Sequence, residues 1–214
     1  MFVIPSVIAP CAAPLDYTSV RSVFTPEQRL EQTIGSIESI RNYTDEKILL
    51  IECSNHTNIG LDISILNQLV DTFVDLSLDS NILSVCNSPN KSWAEIQMLH
   101  RALSFIPVNE RIYKLSGRYF LLETFDKNKF DRGDISAKIF HDGLPPRCCG
   151  VVYSMKDRDT YGDFTSYCIS KYNMSRHVSM EDMLYAWACN KNFNVLSSID
   201  AGGSIAVSGN KETY

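Results

Sequence analysis

The sequence lacks long apolar runs and any excess of basic residues. No stretch of about 18 or more consecutive residues is apolar, so we expect no membrane span. The 214 residues include 20 Lys and Arg against 25 Asp and Glu, a formal net charge of −5. Nucleic-acid-binding surfaces carry a basic excess, so no nucleic-acid partner is expected. The apolar opening has no basic region and is interrupted by Pro5, which predicts a first strand rather than a signal peptide.

Paired cysteines are missing as well. The seven cysteines are an odd number and form no Cys-x-x-Cys motif, which argues against a zinc site and against a disulfide framework. Reduced, mostly buried thiols are typical of cytosolic proteins, so we expect a cytoplasmic location.

Three glycine-based fingerprints are absent. The chain has no Gly-x-Gly-x-x-Gly after its first strand, no Gly-x-x-x-x-Gly-Lys-[Ser/Thr] and no Gly-x-Ser-x-Gly. These absences argue against nicotinamide enzymes, P-loop NTPases and α/β-hydrolases. If the chain binds a nucleotide, a mononucleotide diphosphate is the better fit.

What is present is an alternation of strands and helices in the first half. Strands are predicted at 7–9, 47–52, 82–86 and 111–115, and helices at 25–42, 61–70 and from 92 onward. Thr25 followed by Gln28 has the capping-box spacing, and Ser92 followed by Glu95 repeats it. The alternation predicts an α/β fold whose strands run parallel with right-handed crossovers.

The second half is less regular. Residues 126–143 are predicted as loop or edge structure, 163–172 and the segment from 179 as helices, and 150–155, 195–196 and 204–208 as strands. No internal linker is evident, so we expect a single domain over 1–214, with a nucleotide-binding half at 1–121 and an acceptor half at 122–214. Residues 209–214 have the composition of a linker, which predicts further domains after Tyr214.

Small and polar residues follow each predicted strand. Because the carboxyl ends of parallel strands meet at one edge of a sheet, these residues are expected to lie together. They are Pro10, Cys11, Glu52, Ser54, Asn90, Lys91, Ser116, Gly117 and Arg118. Lys91 next to a helix start and the planar guanidinium of Arg118 suit a diphosphate. Taken alone, Ser116-Gly117-Arg118 also fits a β-bulge with a surface arginine, with Gly117 allowing either close backbone approach or a positive φ.

The adjacent carboxylates Glu181 and Asp182 allow two interpretations. Ser179 followed by Asp182 is a helix start, and acidic residues in the first turn favour the helix dipole. Alternatively, one of the two faces an acceptor hydroxyl as a general base, or stabilises positive charge at a sugar carbon.

Five segments in this order give the chain a family resemblance. They are 21–33, 48–54, 90–95, 114–119 and 177–182. Together they resemble small GT-A-fold glycosyltransferases, especially those with which large algal DNA viruses (chloroviruses) build capsid glycans. The resemblance implies a Rossmann-like GT-A fold with a mixed, mostly parallel sheet, and a hexosyl- or deoxyhexosyltransferase that uses a UDP-sugar. If the protein is viral, its compartment would be the host cytosol.

The resemblance also implies roles for individual residues. The nucleotide would lie against Pro10, Cys11 and Ala12, the uridine against Glu52 and Ser54, and the phosphates against Lys91. Arg21 and Asn90 belong to the same predicted substrate site, and Glu181 and Asp182 are the candidate catalytic residues.

The predicted donor is a UDP-sugar and the predicted acceptor a glycan or glycoprotein. Such enzymes usually hold Mn²⁺ or Mg²⁺ with an Asp-x-Asp motif, but Ser116-Gly117-Arg118 stands in that place. The metal ligands are therefore open: phosphates and water could hold the ion, or Lys91 and Arg118 could replace part of its charge. The alternative function is a non-catalytic nucleotide- or glycan-binding module.

Overall fold

Strands from both halves of the chain form one central sheet. The computed structural model describes residues 1–141, 145–172 and 179–214. The sheet contains β1 (Phe2–Ser6), β2 (Ile48–Glu52), β3 (Thr72–Asp75), β4 (Ile112–Leu115), β6 (Ile135–Phe140), β7 (Arg147–Met155) and β8 (Phe193–Leu196). Their order is β3-β2-β1-β4-β7-β6-β8. β1 to β4 run parallel, β7 is antiparallel to both β4 and β6, and β8 is parallel to β6. The expected mixed, mostly parallel α/β fold is confirmed.

A small antiparallel sheet lies beside the central one. It contains β5 (Tyr119–Leu121), β9 (Ala201–Ser204) and β10 (Lys211–Thr213), in the order β10-β9-β5. The predicted strand at 204–208 is therefore displaced toward the N-terminus. Within 209–214, which has the composition of a linker, Lys211–Thr213 forms a strand and Tyr214 packs against the core, while further domains after Tyr214 stay a prediction.

Helices cover both faces of the central sheet. They are α1 (Pro26–Tyr43), α2 (Ile65–Leu69), α3 (Ser80–Cys86), α4 (Lys91–Ala102), α5 (Arg158–Lys171) and α6 (Met180–Ala188). One core cluster joins the sheet to α3, α4, α5 and α6, and a second joins its other face to α1 and α2. No helix within the described part of the chain is both long and apolar enough to cross a bilayer.

Helix α1 begins where the sequence predicts, and its inward face contains buried polar residues as well as the predicted apolar stripe. The Thr25 side chain accepts from the Gln28 N–H while Gln28 accepts from the Thr25 N–H, so the capping box is present. An apolar stripe of Leu30, Ile34, Ile37 and Ile40 was predicted. Ile37 and Ile40 of that stripe are buried, and Leu30 and Ile34 are partly buried against the same core. Four polar residues are buried beside them, Arg29, Thr33, Ser36 and Ser39. The Thr33 hydroxyl donates to the Gly117 carbonyl and the Ser39 hydroxyl accepts from the Leu121 N–H, both beyond the end of β4.

Two local predictions in the first half were wrong. Residues 82–86 form part of α3 rather than a strand, because Asp79 caps that helix by accepting from Asn81 and Ile82. A short apolar run does not by itself distinguish the two structures. The cap of α4 is Asn90, not Ser92. The Ser92 hydroxyl instead accepts from the Met180 N–H at 3.2 Å and so connects α4 to α6.

Two further boundaries differ. The first strand is Phe2–Ser6 rather than 7–9, so Pro10 and Cys11 follow it at a distance of several residues. The prediction of loop or edge structure for 126–143 was wrong for Ile135–Phe140, which pairs with strands on both sides. The neighbouring strand β7 and the more distant β8 supply the partners that decide this.

Candidate active site

A pocket lies at the carboxyl ends of β1 and β4, where the ligand-binding edge of such a sheet is expected. It encloses about 80 Å³. Pockets for drug-sized ligands typically measure about 300–1,000 Å³, so this one fits phosphate groups rather than a complete nucleotide-sugar. Among the described residues, its lining includes four cations, Arg21, Arg29, Lys91 and Arg118, and one carboxylate, Glu95.

Arg29 is a buried cation in the wall of this pocket. It projects from α1, and its Nε donates to the Val7 carbonyl at 2.7 Å while Nη1 donates to the Ser22 hydroxyl at 3.3 Å. Burial, followed by repulsion from Arg118, lowers the pKa of Arg29, while Glu52 opposes this. An arginine remains charged at neutral pH, so the buried charge favours an anionic neighbour.

Lys91 and Arg118 add two more cations from different elements. Lys91 is the first residue of α4, and Arg118 follows the break after β4. Repulsion by Arg118, together with burial, lowers the pKa of Lys91 to about 7, although Glu95 and Glu181 act in the opposite direction. The Nε of Arg118 is buried without a hydrogen-bond partner within the described residues. Both observations favour the binding of an anion between Lys91 and Arg118.

The carboxylate in the pocket is already engaged. Glu95 Oε1 lies 2.5 Å from Lys114 Nζ, whose side chain is fully buried. Lys114 also donates to the Ser116 hydroxyl at 2.6 Å and to the Gly150 carbonyl. Burial opposes ionisation of Glu95, but the charge of Lys114 outweighs it and the pKa of Glu95 falls below its ordinary value. This ion pair fixes the ends of β4 and β7 relative to α4.

The glycine of the Ser116-Gly117-Arg118 break permits close backbone approach. A Cβ on Gly117 would lie 3.2 Å from the Pro5 carbonyl and 3.4 Å from Ser6 Cβ. Its φ is not positive. The Gly117 carbonyl accepts from the Thr33 hydroxyl at 3.1 Å, so α1 holds the break against β1. Of the two reasons offered for this glycine, close approach is the one found.

The two candidate catalytic carboxylates, Glu181 and Asp182, lie in different surroundings. Asp182 is exposed and caps α6: its backbone N–H donates to Ser179 Oγ at 3.1 Å, and its carboxylate accepts from the same hydroxyl at 2.7 Å. The Glu181 side chain lies over Gly150, where a Cβ would come within 2.7 Å of its Oε1. Its charge acts on Lys91 and Tyr119. Glu181 therefore lies near Lys91, beside the residues that line the pocket, whereas the Asp182 carboxylate is engaged at the start of α6.

Residues 10–24, which we call the strap, contribute Pro10, Leu15 and Arg21 to the pocket lining. The Arg21 guanidinium donates to the carbonyls of Cys86, Asn87 and Ser88 at 2.9, 3.3 and 2.5 Å and so ties the strap to the connection between α3 and α4. Leu15 is buried beneath it.

Three predicted nucleotide contacts lie in the strap. Pro10 and Cys11 are partly buried and Ala12 is exposed, and all three line an open hollow of about 310 Å³ on the strap's surface. Their role in binding a nucleotide stays a prediction, as does that of Arg21.

The predicted uridine contacts and Asn90 have structural partners. Glu52 is fully buried, its Oε1 accepts from the Ile8 N–H at 2.9 Å, and burial raises its pKa. Ser54 is buried, with its N–H donating to Ser77 Oγ at 3.1 Å. Asn90 accepts from the Trp93 N–H as the α4 cap. Their contacts with substrate stay predictions. The last of the five segments that carry the family resemblance is 177–182, and its residues 177 and 178 lie outside the described residues.

A divalent metal ion does not fit the side chains around this pocket. Within residues 1–141, 145–172 and 179–214, no three His, Cys, Asp or Glu side chains are grouped to share an ion. Glu95 is paired with Lys114, the Ser116 hydroxyl accepts from the same lysine, and Arg118 is a cation. Divalent ions of this class prefer several carboxylate and other oxygen ligands. The Mn²⁺ or Mg²⁺ expected from the resemblance stays a prediction that this donor set does not favour.

The sequence analysis missed Arg29, Lys114 and Glu95 as parts of the site. The available signals were a lysine inside an otherwise apolar strand and the four-residue spacing of Arg29 and Thr33 on one helix face. A charged residue in a strand buried on both faces requires a partner, which points to a second charge nearby.

Comparison with known proteins identifies the fold. No protein-family model and no curated protein matches the chain. Among solved structures, the inositol-1-phosphate CTP transferase from T. maritima is similar with a TM-score of 0.54 and 11% identity, over 91% of this chain and 84% of that one. The galactosyltransferase LgtC, in complex with donor and acceptor sugar analogues, is similar with a TM-score of 0.52 and 9% identity, over 94% and 85%.

A nucleoside-diphosphate-sugar pyrophosphorylase from Vibrio cholerae RC9 has a TM-score of 0.52 and 10% identity, over 94% of both chains. At these identities the likeness concerns the fold alone. The chain has the Rossmann-like fold that GT-A glycosyltransferases share with nucleotidyltransferases.

Proposed function

We propose that this protein is a glycosyltransferase that transfers a sugar from a UDP-sugar to a glycan acceptor. The observation that carries the proposal is the convergence of Lys91, Arg118 and Arg29 on one pocket, with Glu181 beside it. The cations match a diphosphate, and the carboxylate matches the sugar carbon or the acceptor hydroxyl. The finer proposal of a chlorovirus capsid glycoprotein as acceptor is supported only by the five ordered sequence segments.

In this proposal the bond between the anomeric carbon and the phosphate oxygen breaks while the acceptor oxygen bonds to that carbon. Lys91 and Arg118 offset the negative charge that develops on the leaving diphosphate. Glu181 either accepts the proton of the acceptor hydroxyl or stabilises positive charge at the anomeric carbon. The stereochemical outcome of transfer distinguishes these two roles of Glu181.

The test is incubation with a panel of nucleotide-sugars and glycan acceptors, scoring release of the nucleoside diphosphate. We expect turnover with one or more UDP-sugars and none with the guanosine and cytidine analogues. Calorimetry should likewise show tighter binding of UDP than of GDP or CDP. UDP binding without turnover of any donor would support the non-catalytic module instead.

A nucleotidyltransferase is the second candidate, favoured by the likeness to the CTP transferase and by a pocket whose cations would also suit a triphosphate. The same preparation, given CTP or UTP with sugar 1-phosphates, distinguishes it. Release of pyrophosphate, without transfer from any nucleotide-sugar, would establish this function and contradict the first.

A further inference from the structure

We propose that this chain holds the diphosphate of its ligand with Arg29, Lys91 and Arg118 in place of a divalent metal ion. The inference rests on the proposed function for the identity of the ligand, a nucleoside diphosphate or its sugar ester. It concerns how the phosphates are neutralised, which can be measured without any transfer reaction.

The first argument is the balance of charge around the pocket. Three cations from three elements, α1, α4 and the segment after β4, line it. Within the described residues one carboxylate lines the pocket, Glu95, and it is paired with Lys114 at 2.5 Å. The remaining positive charge matches the negative charge of a diphosphate, whereas a divalent cation would add to the repulsion.

The second argument concerns the hydrogen bonding of Arg118 and the electrostatic repulsion at Lys91. Arg118 Nε is buried and has no hydrogen-bond partner in the described ranges. The Lys91 pKa of about 7 reflects repulsion by Arg118 and burial. A bound phosphate would relieve both, since it accepts hydrogen bonds and supplies negative charge. Lys91 also stands at the first position of a 12-residue helix, where the helix dipole favours an anion.

The third argument is that the place for metal ligands is taken by other groups. The Ser116 hydroxyl accepts from Lys114 Nζ at 2.6 Å, and Gly117 packs against the Pro5 carbonyl. In the described ranges the carboxylates that act on Lys91 are Glu95, already paired with Lys114, and Glu181, which lies over Gly150. One carboxylate does not make a site for an ion that prefers six oxygen ligands or nearly so.

The experiment is calorimetric titration of the full chain with UDP and with inorganic pyrophosphate, in EDTA and again in Mn²⁺ or Mg²⁺. We expect the Kd values to agree within about threefold between the two conditions. In EDTA, Lys91→Met and Arg118→Met should each weaken binding by about tenfold to a hundredfold, as for the loss of a charge-assisted hydrogen bond. Arg29 is unsuitable for this test because it also holds the Val7 carbonyl.

The matched control is Lys156→Met, which removes an exposed lysine at the opposite edge of the sheet, next to the start of β4. It should bind like the wild type, and thermal melting should show that all three variants are folded. Binding lost in EDTA and restored by Mn²⁺ would overturn the inference while leaving the proposed function standing. Absence of binding under both conditions would also overturn it. Metal-free binding without turnover of any nucleotide-sugar would contradict the proposed function and leave the cation site intact.

Discussion

The separation of Glu181 from Asp182 makes substitution of these neighbours the sharpest test of catalysis. Glu181→Gln keeps the size of the side chain but removes its charge. An amide can neither take a proton nor offset positive charge at the sugar carbon, so turnover should fall by about 10²–10⁴. The affinity for UDP should not fall, because the Glu181 charge opposes rather than assists a phosphate beside Lys91. Steady-state release of UDP, with calorimetry of UDP binding, measures both quantities.

Asp182→Asn is the matched control. The Asp182 carboxylate is exposed, and its described bond is to the Ser179 hydroxyl at 2.7 Å. Because asparagine retains an acceptor at that position, the free energy of unfolding should fall by about 1 kcal/mol or less. Turnover should stay near the wild-type value.

Gly150→Ala tests the same geometry without removing a charge. Its Cβ would lie 2.7 Å from Glu181 Oε1 and 3.2 Å from both Cδ and Cγ, so the carboxylate must move. A misplacement of about 1 Å can cost about 10²-fold in rate, and we expect a fall of that order with UDP binding retained. Near-normal transfer by both Glu181→Gln and Gly150→Ala would refute the catalytic role of Glu181.

Two other predictions concern the charges behind the site. Lys114→Met leaves Glu95 without its partner at 2.5 Å, so the free energy of unfolding, measured by urea denaturation, should fall by about 3–5 kcal/mol. Adding Glu95→Leu should recover most of that loss. A Lys114→Met variant as stable as the wild type would contradict the structural role of this pair. Because the Lys91 pKa is lowered to about 7, UDP binding should weaken as pH rises from 7.5 toward about 9 and should take up protons from the buffer. Calorimetry in buffers of different ionisation enthalpy measures that uptake, and a Lys91→Met variant with the same pH dependence would show that another group is responsible.

Local chemistry accounts for what the sequence predicted correctly. The α1 start follows from Thr25 and Gln28, whose side chains and backbone satisfy each other without help from the rest of the chain. β2 is apolar at four of its five positions, as a parallel strand covered on both faces must be. The alternation of such strands with helices placed Arg118 at the edge where parallel strands share their carboxyl end. Lys91 reaches the same pocket from the start of α4, because the strand predicted before it is the helix α3.

Contacts with residues outside the segment in question decided the remainder. Residues 82–86 are helical through the Asp79 cap, and Ile135–Phe140 is an interior strand because β7 and β8 supply partners on both sides. Arg29 and Thr33 are buried beside the apolar stripe of α1 because the carbonyls of Val7 and Gly117 offer them acceptors.

The same holds for the site itself. Adjacent helical residues point about 100° apart, so the sequence dictates that only one of Glu181 and Asp182 can face the pocket. It does not dictate which one. Glu181 occupies the space over Gly150, a residue of β7, and the Asp182 carboxylate is engaged by the Ser179 hydroxyl. These two contacts distinguish the neighbours.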